Sequence, residues 1–116
     1  MRPGSMGLVL LFSVATALAE KDVSVAGWVS DESCGADHRK PGGEDCVRKC
    51  IKGAPHLNPE WTAQKMVFVT DDDTPRIWVV ANPAGLTGHE GKHMKVEGKL
   101  DDDGNLTVTK AVPVEE

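Results

Sequence analysis

The chain has 116 residues and a formal net charge of −5, from 18 acidic and 13 basic residues. An acidic surface of that kind repels phosphate backbones and anionic headgroups, which excludes nucleic acid as a natural partner. The length bounds the chain to one small domain, a size at which the hydrophobic core is marginal and a disulfide or a metal often helps.

Residues 1–19 read as a secretory signal. Arg2 supplies a thin positive start, Gly7 to Leu18 is an apolar stretch of the right length, and Ala17-Leu18-Ala19 gives a small-x-small cleavage pattern. The run is shorter than the roughly 20 residues that span a bilayer. No cysteine follows it directly, so a lipid anchor is not expected. The expected mature protein is a single domain over 20–116, exported to the periplasm or secreted. It has no second apolar run and hence no membrane span.

Val23 to Ser30 alternates as a half-buried strand, with Val23, Val25 and Val29 on one face and Gly27 marking a bend or bulge. Asp31 to Glu44 is loop-like, broken by Pro41-Gly42-Gly43. Asp45 to Lys52 reads as a short helix. Glu44 or Asp45 suits its start, Arg48, Lys49 and Lys52 suit its end, and Gly53 stops it. Ala54 to Gln64 is a loop. Lys65 to Thr70 and Arg76 to Ala81 form a hairpin around an acidic turn, and Asn82 to Gly91 is a loop with room for one helical turn. Lys92 to Leu100 places Met94, Val96, Gly98 and Leu100 on one face, and Leu106 to Val112 is the last strand. The expected fold is mainly β: a small five-stranded OB-like barrel with one short helix in a Cys/His-rich insertion at 31–53, between the first two strands. An open β-sandwich fits the strand count as an alternative.

Every cysteine lies in that insertion, as Cys34-Gly-Ala-Asp-His38 followed by Cys46-Val-Arg-Lys-Cys50. Thiolate and imidazole are the ligands zinc and copper(I) prefer, and four of them suit a closed tetrahedral site. An odd cysteine count in an exported chain also favours a use that occupies all three. On a helix Cys46 and Cys50 share a face with Cβ atoms about 5–6 Å apart. That is wider than the roughly 3.5–4.5 Å of a disulfide. The expected metal ligands are therefore Cys34, His38, Cys46 and Cys50, holding zinc or copper(I) in a structural role, since four protein ligands leave no open position for catalysis. The rival is a disulfide from Cys34 to Cys46 or Cys50, stapling a non-enzymatic module that binds a glycan or protein. A thiol enzyme with one exposed cysteine is a third class. No C-x-x-C or haem-attachment motif appears.

Asp31, Glu32 and Asp37 flank the cluster. They read most simply as solvated loop charges, or else as hydrogen-bond partners of His38. His93 reads as a surface residue, and Trp28 and Trp78 as core or as packing under the insertion. The acidic turns at 71–73 and 101–105 lack the spacing of a calcium loop.

The segment Gly27-Trp-Val-Ser-Asp31-Glu-Ser-Cys34-Gly35, with His38 and Cys46-Val-Arg-Lys-Cys50, resembles a family of small exported bacterial proteins of uncharacterised function. The stretch from Gly91 to Leu100 (GKHMKVEGKL) is similar as well. The resemblance implies an OB-like barrel and a bacterial source and supplies no activity, substrate or ligand.

Overall fold

In a computed structural model of the chain, residues 20–115 are described; the expected signal segment at 1–19 lies outside them. Five strands are present: β1 (Glu20–Asp31), β2 (Met66–Thr70), β3 (Ile77–Val80), β4 (His93–Asp101) and β5 (Asn105–Pro113). One helix, α1 (Glu44–Lys52), lies between β1 and β2, and short 3₁₀ turns occupy Gly35–His38 and Pro83–Leu86. The strands close in the order β1-β2-β3-β5-β4, with β4 paired back to β1. This is a small OB-like barrel, and closure removes the open-sandwich alternative.

Strand alternation builds the core. β4 alternates buried and exposed along its length. Its Met94, Val96 and Leu100 meet Val29, Phe68, Trp78, Leu86 and Leu106 inside the barrel. Burying a side chain such as Phe68 stabilises by about 2–3 kcal/mol. β2 is buried along its whole length. Met66 and Phe68 belong to the core, whereas Val67 and Val69 lie on the other face, where the first 3₁₀ turn packs against β1 and β2.

β1 serves two neighbours. Its first part pairs with β4 and its end with β2, and both ladders include Gly27 and Trp28. The strand must bend there. A Cβ on Gly27 would sit 2.3 Å from the Val69 carbonyl oxygen and 2.8 Å from the Phe68 ring, so only glycine admits that approach.

The β3–β5 seam is short, with Val79 opposite Asn105 and Val80 opposite Leu106. It is extended by the Ala81 N–H, which donates to the Leu106 carbonyl at 2.7 Å. Beyond β3 the Asn82 amide takes over: Nδ2 donates to the Val108 carbonyl and Oδ1 accepts the Val108 N–H, both at 2.8 Å. A side chain thus imitates one more rung of the sheet. The acidic turns are spent on the fold. Asp101 accepts the N–H groups of Asp103 and Asn105, and Asp72 accepts the Thr70 hydroxyl and the Arg76 guanidinium. These bonds hold both carboxyls below the usual range.

Candidate thiol centre

The site begins at the last residue of β1. Asp31 is fully buried. Its Oδ1 accepts the N–H groups of Ser33 and Cys34, both at 3.0 Å, the turn geometry that Asp side chains favour. Ser30 Oγ donates to the Gly35 carbonyl at 2.9 Å. These bonds lock the chain as it leaves the barrel and place Cys34 just before the 3₁₀ turn. The two ends of the insertion are clasped: the Glu32 N–H donates to the Lys65 carbonyl, and the Lys65 N–H donates to Glu32 Oε1. The stretch between β1 and β2 thus runs to Lys65, one residue beyond the expected end of the loop at Gln64.

Helix α1 supplies the other two thiols. It starts one residue earlier than expected, and Gly43 caps it without a side-chain bond. Glu44 instead turns back to accept the Gly42 N–H, and Asp45 pairs with Arg48. The Gly53 N–H closes the helix on the Lys49 carbonyl. Val47 is fully buried, and Ile51 packs against the barrel core. That stripe anchors the helix and sets Cys46 and Cys50 on a flank of it.

The fold brings all three cysteines together. Cys46 lies near enough to both Cys34 and Cys50 to act on their thiols, and so does the Asp31 carboxylate. Burial first, then the negative charge of Asp31, then Cys46, raises the pKa of Cys34. The same causes in the same order push Cys50 up to about 11. All three thiols are free, with Cys46 exposed and the other two half-buried. His38 closes the 3₁₀ turn, and its side chain lies outside the described structure. Among the described residues no set of three or more His, Cys, Asp or Glu already surrounds a metal position. The thiols meet through Cys46 and do not enclose a common point.

Two sequence readings need correction. Asp31 is not a solvated loop charge; it ends a strand in the interior, whereas Glu32 and Asp37 are exposed as expected. The signal was present in an Asp two and three residues before N–H groups that leave a strand. His93 is also not a simple surface residue, since only 18% of its side chain is exposed. It pairs in register with Trp28 and stacks on it with ring centroids 4.5 Å apart, and its Nε2 meets Asp71 Oδ2 at 2.6 Å. Trp28 is buried outside the barrel core, beside Pro41 and Glu44, as packing under the insertion requires. Trp78 is core.

Fold and site together define an OB-like β-barrel that carries a thiol-rich insertion at the end of its first strand. No family model, curated protein or solved structure matches the chain.

Proposed function

We propose that this is an exported binding protein whose insertion takes up one thiophilic metal ion, zinc or copper(I), through Cys34, His38, Cys46 and Cys50. The observation that carries the reading is the meeting of all three thiols, from a loop and a helix, beside a buried carboxylate. Negative neighbours make thiolates costly there, and a cation reverses that cost. The donor set of three sulfurs and an imidazole suits zinc, and its softness suits copper(I). Because no ligand set is already assembled among the described residues, uptake requires the side chains to turn toward a common centre. Once bound, the ion would neutralise the thiolates and tie the loop to the helix, a structural and metal-handling role rather than a catalytic one.

A second reading has its own support, because Cys46 is the thiol neighbour that acts most strongly on Cys34. Thiol–disulfide exchange with an oxidised dithiol partner, which takes up two electrons and two protons and leaves as the reduced dithiol, would join that pair as a disulfide and make the chain a stapled binding module for a protein or glycan.

Native and denaturing mass spectrometry of the exported protein, with and without alkylation, separates the two. One bound zinc or copper, with three alkylatable thiols after chelation, supports the metal reading. A mass lighter by two hydrogens, with one alkylatable thiol and no metal, refutes it in favour of the disulfide. The N-terminal residue of the same sample tests removal of residues 1–19.

A further inference from the structure

Beside the thiols, the last turn of α1 and the segment that follows it enclose an open-sided groove of about 710 Å³. That volume lies in the range of small-molecule sites. Four large apolar side chains stand exposed among the described residues: Leu57, Trp61, Ile77 and Val112. Leu57 (70% exposed) and Trp61 (54%) meet in this groove. Apolar surface gathered in a concavity marks a binding site more strongly than the same residues scattered.

The groove is held in shape by its own backbone. The Ala54 N–H donates to the Trp61 carbonyl at 2.7 Å and the Trp61 N–H to the Asn58 carbonyl at 2.9 Å. The Gln64 N–H donates to the Cys50 carbonyl at 2.9 Å. The main chain that carries Trp61 is therefore held relative to the helix before any ligand arrives, which lowers the ordering cost of binding.

Charge selects the ligand. Lys49, Lys52 and His56 line the groove against a single carboxylate, Glu60, on a chain whose net charge is −5. Among the described residues neither lysine belongs to an ion pair. Lysines in a last helical turn also favour the helix dipole. That accounts for their charge but not for the exposed indole and leucine facing them.

We propose that this groove binds a small amphiphilic carboxylate, with its apolar body on Trp61 and Leu57 and its carboxylate at Lys49 and Lys52. Such a ligand uses both halves of the site, and a neutral analogue uses only one. Trp61 reports on binding directly, since Trp28 and Trp78 are buried elsewhere.

The test is a titration of the full exported protein with 2-naphthoate and, separately, the neutral 2-naphthamide, followed by tryptophan quenching and calorimetry. Saturable one-to-one binding of 2-naphthoate is expected, with the amide at least about tenfold weaker. The K49Q/K52Q variant should lower the acid to the level of the amide. W61A should abolish binding of both while the thermal melt of the barrel stays in place. Bound 2-naphthoate should also slow alkylation of Cys50, which lines the same groove. Equal affinity for acid and amide, binding unchanged in W61A, or no saturable binding up to about 1 mM would overturn the proposal. The groove shares Cys50 with the proposed metal centre but not Cys46: on metal-free protein, C46S should remove metal binding and leave 2-naphthoate binding intact, so the two readings fail separately.

Discussion

Cys50 should be a slow thiol, and Asp31 should be part of the reason. Its pKa is pushed from an ordinary 9.0 to about 11, by burial first and by the Asp31 carboxylate second. At neutral pH that leaves about 100-fold less thiolate than an ordinary cysteine holds. The more basic thiolate is the better nucleophile, which returns about tenfold of that loss. Iodoacetamide should therefore label Cys50 about tenfold more slowly than a cysteine in an unstructured peptide. D31N keeps an oxygen that can accept the Ser33 and Cys34 N–H groups while removing the charge. Because burial is the larger cause, D31N recovers less than half of the shift and should speed labelling by no more than about threefold. The pH dependence of stability has a definite sign. The folded chain holds the Cys50 proton more tightly than the unfolded one, so the stabilisation is complete below pH 9 and is lost as pH rises toward 11. Its upper bound is about 2.7 kcal/mol, reduced by solvent at a half-buried site. The assay is timed alkylation with site-resolved mass spectrometry on the chelator-treated protein. Cys50 labelling at the peptide rate, or D31N slowing it, would refute the electrostatic account.

Metal uptake should release the protons of Cys34 and Cys50, whose pKa values are both raised. Apparent zinc affinity should then climb by at least about 100-fold per pH unit near neutrality, and a calorimetric release of less than one proton would contradict thiolate ligation. G27A should destabilise the barrel by about 2–4 kcal/mol in urea, because the clash is with the Val69 carbonyl rather than with a side chain that can move aside; a loss under about 1 kcal/mol would mean that β1 can flatten. N82A removes both bonds to Val108 and should cost about 2–3 kcal/mol. N82D keeps only the acceptor and should fall between the two. H93A removes the stack on Trp28 and the bond to Asp71, so it should shift Trp28 emission to the red before the barrel melts; an unchanged spectrum would show that the stack does not shield the indole.

The barrel was legible because its signals are local. Val23, Val25 and Val29, the clean alternation from Met94 to Leu100 and the two acidic turns each name a strand or a hairpin without reference to anything distant. Gly27 announced the bend, although only the pairing on both sides of it explains why the bend lies there. The cysteines were legible as a cluster, and the helical spacing of Cys46 and Cys50 was recovered. Asp31 was misread because its burial depends on the 3₁₀ turn folding back over β1, a contact that no local pattern encodes. His93 fits the polar face of its strand by period, and it is largely covered because its neighbour in register is an indole that stacks on it. The groove was passed over because Leu57 and Trp61 sit in a segment that reads as ordinary loop until α1 is set against it.

Only Ile51 of α1 packs against the barrel's interior, and Val47 is buried apart from it. The inner face of the appendage is part of the barrel's packing, through the 3₁₀ turn over β1 and β2 and the segment beside Trp28, whereas its outer face adds little to the core. Substitutions at the exposed Cys46, Leu57 and Trp61 can accumulate with little risk to the barrel, as long as that inner face and the clasp between Glu32 and Lys65 hold. A lineage carrying this architecture is free to retune what the outer face of the appendage presents and still inherit a protein that folds.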